Sequence, residues 1–155
     1  MQHTSSGTYA KLVPDDSTKE RIFEIVDLLN IPNYVSKDAM HLTVVYSRVV
    51  CPSISNVAIE FPILASGTRF EIFSTAEGSK CLVLVLVGNE LHKLHNECVS
   101  AHGATHDFAT FCPHITLSYD YPFDDMPNPS LMSYFKNLAF TKFVVEPLVF
   151  NWIEP

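Results

Sequence analysis

Apolar and polar positions alternate with a period of two in two six-residue segments that follow one pattern. Residues 41–46 read His-Leu-Thr-Val-Val-Tyr, and residues 114–119 read His-Ile-Thr-Leu-Ser-Tyr. β-Branched and aromatic residues favour strands, and side chains two positions apart on a strand share a face. Each segment is therefore predicted to be a strand with its histidine and threonine on one face and apolar residues on the other.

A period near 3.6 residues predicts two helices. The first covers residues 17–30, where the motif Ser17-x-x-Glu20 fits a capping box. The second is predicted to begin at Asn89, a favourable N-cap residue, and to end at Gly103.

Shorter apolar runs predict further strands. The run 81–87 is continuously apolar, which is typical of a central strand covered on both faces. The other predicted strands cover residues 7–13, 70–73 and 143–146. Pro147 is expected to interrupt the last strand and to lie at a sheet edge or a bulge, because proline cannot donate to a strand ladder.

The order of these elements predicts two related halves. Strand–helix–strand is followed by strand–strand–helix–strand, and each half contains one copy of the six-residue pattern. The stretches 51–68 and 121–142 are expected to be irregular connections, the first with a short strand near 57–61. Neither stretch resembles a linker, so residues 1–155 are predicted to form one α+β domain.

The two histidine-containing strands would form one catalytic pocket if they met. Metal-free cleavage of a phosphodiester needs a general base and a general acid, and histidine serves as either, since its pKa is ~6.5. Threonine hydroxyls can donate hydrogen bonds to the non-bridging oxygens. The candidate catalytic residues are therefore His41, Thr43, His114 and Thr116. The alternative interpretation, two unrelated half-buried strands, does not account for the repetition of the pattern.

Tyr46 and Tyr119 each follow their histidine by five positions. On a regular strand this spacing gives the opposite parity. Both tyrosines are therefore predicted to be core residues or to lie behind the catalytic groups.

The charge balance restricts the class of ligand. Ten Lys and Arg residues stand against seventeen Asp and Glu residues, giving a net charge of −7 without a basic cluster. Binding to a long nucleic acid depends on a basic surface that contacts many phosphates. A long nucleic-acid partner is not expected, whereas a small phosphorylated ligand in a pocket is compatible with this charge.

The remaining composition favours a cytoplasmic protein. The longest apolar run, 81–87, is too short to cross a membrane, and no basic-then-apolar signal segment is visible at the start. The four cysteines show no Cys-x-x-Cys spacing and are interpreted as reduced thiols.

A metal site formed by His92, His95, His102 and His106 is a competing hypothesis. However, no carboxylate pair or cysteine completes a ligand set at the spacing that metal sites use. These histidines are interpreted as surface or hydrogen-bonded residues, and neither a metal nor another cofactor is expected.

The paired segments His41-Leu42-Thr43 and His114-Ile115-Thr116 resemble the signature of the two-histidine phosphoesterase superfamily. This resemblance implies a two-lobed fold with a pseudo-twofold axis. Antiparallel sheets would line a central groove, with helices outside and one histidine contributed by each lobe.

More extensive blocks of the sequence resemble the phage anti-CBASS nucleases. They include residues 7–11, 81–86, 102–105 and 113–120. The resemblance implies cleavage of 3′–5′ bonds in cyclic di- or trinucleotides such as 3′,3′-cyclic GMP–AMP, within the host bacterial cytoplasm. In that mechanism the ribose 2′-hydroxyl attacks the phosphate and forms a 2′,3′-cyclic phosphate, which water opens.

The same resemblance implies a set of ligand contacts. Tyr9, Glu146 and Trp152 match residues that bind the cyclic nucleotide, and aromatic faces stack on bases with little base preference. Phe73 stands where relatives can have a bulkier aromatic residue.

Two alternative functions remain open at this point. The protein could be a two-histidine phosphodiesterase that acts on RNA ends or 2′,5′-oligoadenylate. It could instead bind cyclic nucleotides without cleaving them, although simple binding would not require a matched acid–base pair. The sequence also leaves open which histidine is the base and which is the acid.

Overall fold

The computed structural model describes residues 4–75, 78–105 and 110–151. The strands are β1 Thr4–Pro14, β2 Leu42–Ser47, β3 Ile63–Ser74, β4 Lys80–Val87, β5 His114–Ser118 and β6 Leu138–Asn151. The α-helices are α1 Asp16–Leu28 and α2 Asn89–Ser100. Short 3₁₀ helices cover Lys37–Ala39, Pro52–Asn56 and Pro129–Phe135.

The six strands form one closed antiparallel sheet in the order β1-β2-β5-β4-β3-β6. One half consists of β6, β1 and β2, with α1 between β1 and β2 in the chain. The other consists of β3, β4 and β5, with α2 between β4 and β5. The halves join where β2 pairs with β5 and where β3 pairs with β6. This repeated arrangement follows the two-halves prediction.

One face of the sheet packs against the helices and forms the core. Leu12 of β1 and Leu42 of β2 are fully buried in one apolar cluster with Ile22 of α1 and Leu91 of α2. Strand β4 is buried on both faces, since the five residues from 82 to 86 are between 0% and 4% exposed. The prediction of a fully covered central strand from its unbroken apolar run is confirmed.

Several predicted strand boundaries are wrong. Strand β3 begins at Ile63, seven positions before the predicted start, and residues 57–61 form no strand. Strand β6 continues through Pro147, which pairs with Thr8 of β1. The proline is tolerated because β3 pairs with β6 only at residues 138–140, so β6 has an unpaired edge at Pro147.

The first helix begins at Asp16, one residue before its predicted start, and ends at Leu28, two residues before its predicted end. Asp15, not Ser17, is the N-cap residue, and its carboxylate accepts a hydrogen bond from the Thr18 amide at 2.8 Å. Backbone contacts fix this start, since the Asp15 amide donates to the Ala139 carbonyl of β6 at 3.0 Å. The position of α1 therefore depends on a strand more than one hundred residues away in sequence. None of the helices in the described ranges is long and apolar enough to span a membrane.

Replacement of the N-cap residue tests this start. Asp15→Ala is expected to lower the free energy of unfolding by about 1 kcal/mol, because a helix N–H loses its acceptor. Ser17→Ala is the matched control and is expected to have almost no effect, since Ser17 is exposed within the first turn. Urea unfolding of both variants measures the difference, and an equal loss in the two would contradict the Asp15 cap.

Candidate active site

The two histidines of the repeated motif have the same local hydrogen bond. Nδ1 of His41 lies 2.8 Å from the carbonyl oxygen of Ala39, and Nδ1 of His114 lies 2.8 Å from that of Cys112. A carbonyl oxygen only accepts, so each Nδ1 donates its hydrogen. In the neutral imidazole this leaves Nε2 with its lone pair available for proton transfer.

The pairing of β2 with β5 brings the two motifs together. Leu42 is paired with Ile115 in antiparallel register, and both side chains are fully buried. One step along this register in either direction, His41 is opposite Thr116 and Thr43 is opposite His114. Directly opposed Cβ atoms lie about 4.5–5.5 Å apart. The four predicted catalytic side chains therefore share one face of two adjacent strands, opposite the apolar core.

His114 is the more enclosed of the two imidazoles. Burial lowers the pKa of His114; the hydrogen bond to the Cys112 carbonyl acts in the opposite direction, and the charge of His41 lowers it further. The ring of Phe73 stands edge-on to His114 at 5.1 Å between centroids. The charge of His41 acts on the pKa of His114 because the two residues lie on adjacent, paired strands.

Tyr9 contacts the first half of the site. Its hydroxyl is hydrogen-bonded to the Thr43 hydroxyl at 2.9 Å, and its ring stands edge-on to His41 at 6.3 Å. Burial raises the pKa of Tyr9, so the phenol keeps its proton near neutral pH. The Tyr9 hydroxyl can therefore hold Thr43 in one orientation beside His41.

A β-bulge interrupts each motif strand at the same position. Ala10 pairs with Val45 and Lys11 pairs with Thr43, so Val44 is an extra residue in β2. The carbonyl of Val44 accepts a hydrogen bond from Nδ1 of the buried His95 on α2, at 2.7 Å. A bulge shifts the alternation by one position, so residues beyond it change face.

The second bulge lies in β5, where Leu82 pairs with Ser118 and Val83 pairs with Thr116. Leu117 is therefore the extra residue, and it is 1% exposed. Tyr119 follows directly after the end of β5 and is 53% exposed. It is therefore not a core residue, and its alternative place behind the catalytic groups stays a prediction.

Tyr46 lies beyond the first bulge and has changed face. It is paired with Tyr9 across β1 and β2, and the two rings stand edge-on at 6.1 Å. The prediction that its side chain points away from the histidine face assumed a regular strand and is wrong. A sequence signal was present in the first motif, where two consecutive apolar residues, Val44 and Val45, interrupt the alternation.

Of the three predicted ligand contacts, Tyr9 and Glu146 lie within the residues that the structure describes. Glu146 of β6 is paired with Tyr9 of β1, which places it beside the site. Its carboxylate lies 3.7 Å from Nζ of Lys11 and is about half exposed, so it is accessible to a ligand. Trp152 lies outside the described residues.

Basic side chains line this face although the chain is acidic overall. Lys11 is paired with Thr43, and strand alternation places Arg69 of β3 and Lys142 of β6 on the same face. Arg69 also contacts the Glu71 carboxylate at 3.2 Å. The face with the two imidazoles thus has three basic side chains, of which Lys11 and Arg69 are paired with the carboxylates of Glu146 and Glu71.

Two of the histidines considered as metal ligands, His95 and His102, make hydrogen bonds to protein groups instead. Besides the bond of His95 to β2, Nδ1 of His102 is hydrogen-bonded to the Ser53 hydroxyl at 2.8 Å. Within the part of the chain that the structure describes, no three histidine, cysteine or acidic residues are grouped so that they could hold a metal ion. His106 lies outside that part.

Comparison with known proteins identifies the family. A profile of the family described as "Anti-CBASS protein Acb1" matches residues 6–155. The Acb1 protein of Salmonella phage S16 is 36% identical, over 99% of this chain and 96% of its own. That of Acinetobacter phage Ac42 is 33% identical, over 98% and 97%. The chain belongs to the anti-CBASS Acb1 family.

Solved structures with this fold include LigT of E. coli. The complex of LigT with 3′-AMP has a TM-score of 0.58 and 18% identity, covering 95% of the Acb1-family chain and 96% of LigT. The LigT complex with phosphate has a TM-score of 0.56 and 17% identity, covering 96% and 95%. This likeness confirms the predicted α+β phosphoesterase fold.

The environment of His114 predicts its titration behaviour. Its pKa is expected to lie below the ordinary value of 6.5, because burial disfavours the imidazolium, so His114 should be neutral at pH 7. His41→Asn is expected to raise the pKa of His114 by removing a positive neighbour. NMR titration of the imidazole signals measures both values, with His102→Asn as the control. A His114 pKa above 6.5 would contradict the proposed enclosure.

Proposed function

We propose that this Acb1-family chain is a metal-independent phosphodiesterase that hydrolyses 3′–5′ bonds of cyclic di- and trinucleotide immune signals, such as 3′,3′-cyclic GMP–AMP. By this activity in the host bacterial cytoplasm it would counteract CBASS antiphage defence. The observation that carries the proposal is the pairing of Leu42 with Ile115, which sets each motif histidine opposite the other motif's threonine. The family to which the chain belongs supports the choice of substrate.

In the first step the ribose 2′-oxygen attacks the adjacent phosphorus. Nε2 of His114 removes the proton of the 2′-hydroxyl, a role that suits the imidazole with the lowered pKa. Nε2 of the protonated His41 donates a proton to the leaving 5′-oxygen. The P–O5′ bond breaks as the new P–O2′ bond forms, and the ring opens to a linear product with a 2′,3′-cyclic phosphate.

In the second step the proton-transfer roles are exchanged. His41, now neutral, removes a proton from a water molecule, which attacks the cyclic phosphate. His114 returns its proton to the 2′-oxygen as the P–O2′ bond breaks, leaving a 3′-phosphate. Both histidines regain their starting states, so the cycle needs no metal and no redox cofactor.

Thr43 and Thr116 stabilise the charge on the phosphate. Each hydroxyl lies on the same face as the two histidines and can donate a hydrogen bond to a non-bridging oxygen, where negative charge grows in the transition state. Lys11, paired with Thr43, adds positive charge beside the first of these oxygens.

The bases of the ligand would lie against the aromatic residues around the site. Tyr9 is available in the first half and Phe73 in the second, with Trp152 as a further stacking residue, each worth about 1–3 kcal/mol per base. The half-exposed carboxylate of Glu146 can accept hydrogen bonds from an exocyclic amine or a guanine edge.

A second candidate activity follows from the fold that the chain shares with LigT, whose crystal structures include a complex with 3′-AMP. The same acid–base pair could act on RNA ends or on 2′,5′-oligoadenylate. A non-cleaving cyclic-nucleotide sponge is less consistent with the site, because binding alone does not require a matched pair of histidines on one face.

Parallel digests distinguish these functions. With EDTA present, the protein is expected to convert cyclic GMP–AMP to linear products through a 2′,3′-cyclic phosphate that chromatography resolves. A substrate analogue with 2′-deoxyribose beside the scissile bond should stay intact, since the attacking oxygen is missing. Faster cleavage of 2′,5′-oligoadenylate or of 2′,3′-cyclic-ended RNA would favour the second candidate, and recovery of intact ligand from a stoichiometric complex would favour the sponge.

Removal of either imidazole tests the acid–base pair. His41→Ala and His114→Ala are each expected to lower kcat by about 10⁴-fold, at the upper end of the range for proton transfer. His92→Ala is a matched control, because His92 is exposed on α2 and lies outside the site. Circular dichroism should show all three variants folded, and retention of near-normal kcat by either site variant would rule out the mechanism.

A further inference from the structure

His95 of α2 connects segments that belong to the two motifs. It is 8% exposed, and its helix lies between β4 and β5 in the chain, within the second half. Its Nδ1 atom nevertheless lies 2.7 Å from the carbonyl oxygen of Val44 in β2 of the first half. Its ring is also stacked on that of Phe111, with 4.1 Å between the centroids and 1° between the planes. One buried side chain therefore contacts a segment beside each catalytic histidine.

The hydrogen bond to Val44 stabilises the bulge of the first motif. Val44 is the extra residue of β2, and the extra residue of a bulge is left out of the strand ladder. A buried carbonyl without a partner is costly, and Nδ1 of His95 supplies the missing donor. Thr43 directly precedes Val44 in the chain. The position of the Thr43 hydroxyl therefore depends on a bulge that His95 holds.

The stack on Phe111 acts on the second motif. Phe111 lies three residues before His114, and the Cys112 carbonyl between them accepts the hydrogen bond from Nδ1 of His114 at 2.8 Å. The carbonyl of the next residue, Pro113, accepts from the Leu86 amide at 2.9 Å. This short segment is thus fixed by a stacked ring at one end and by a strand at the other. The carbonyl that orients the catalytic imidazole lies between these two contacts.

The backbone connects the two motif strands only over a short length. Within the described residues, the register of β2 with β5 consists of the single pair Leu42 and Ile115. Side chains that contact both motifs therefore add to the constraint on their relative position. His95 does so from the core, because it is buried on a helix that contacts β2.

We propose that His95 is a positioning residue for both motifs of the site. Through Val44 it fixes the Thr43 hydroxyl, and through Phe111 it fixes the imidazole of His114. It acts through these neighbours and not on the substrate directly. A displacement of a catalytic group by about 1 Å can lower a rate by up to about 10²-fold, so the loss of either contact is measurable in the kinetics. This inference rests on the proposed phosphodiesterase function.

Two substitutions remove the contacts of His95 one at a time. His95→Phe keeps a ring to stack on Phe111 but removes the donor to Val44, and it is expected to lower kcat on cyclic GMP–AMP about tenfold with KM within about twofold of the wild type. His95→Asn keeps a donor close to the Nδ1 position but removes the stack. In this variant the pKa of His114, measured by NMR titration, is expected to rise toward 6.5 as the imidazole becomes less enclosed, whereas in His95→Phe it should stay lowered.

A control separates positioning from a loss of stability. Ile22→Val shortens a fully buried side chain of α1, in the other half, and is expected to leave both kcat and the pKa of His114 unchanged. Urea unfolding measures the folded fraction of every variant, and kcat is calculated per folded molecule. An equal loss of kcat in Ile22→Val would assign the effect of His95 to stability alone.

The two readouts can each overturn the inference. Unchanged kcat per folded molecule in His95→Phe would show that the bulge holds Thr43 without the bond, and an unchanged His114 pKa in His95→Asn would show that the stack does not orient the second motif. If the wild-type chain cleaves no cyclic nucleotide, the proposed function fails. The NMR titration still decides in that case whether His95 positions His114, because it does not depend on activity.

Discussion

The pairing of β2 with β5 is the constraint on which the rest of the site depends. Its register places Leu42 opposite Ile115, and both side chains are removed from water in the core. A slip of one residue would send every side chain of the strand to the other face, so burial of these two apolar residues fixes the register. The chemistry on the opposite face is positioned as a consequence, because His41 and His114 precede the two paired residues.

The two halves share one strand geometry but differ in the surroundings of their histidines. Each motif strand contains a bulge three positions after its histidine, at Val44 in β2 and at Leu117 in β5. The first bulge is supported by a hydrogen bond from His95, a buried residue of the other half. Asymmetry appears at His114, whose burial lowers its pKa.

Basic side chains are grouped on one face of a protein that is acidic overall. The net charge of −7 belongs to the whole surface, whereas the face that contains the histidines has Lys11, Arg69 and Lys142 on its strands. A small ligand contacts only this local field, while a long nucleic acid would also meet the acidic surroundings.

The sequence by itself determined the paired motifs, the helical and strand periods, the unbroken core strand and the family. These features depend on short-range pattern or on residue identity, and the family match and the shared fold confirm them. Only the tertiary structure decided the N-cap at Asp15, the passage of β6 through Pro147 and the change of face at Tyr46. Each of these depends on a partner strand: a contact with β6, an unpaired edge and a register shift against β1. A local pattern does not encode where a distant strand pairs, and a single bulge reverses the parity that the pattern assumes.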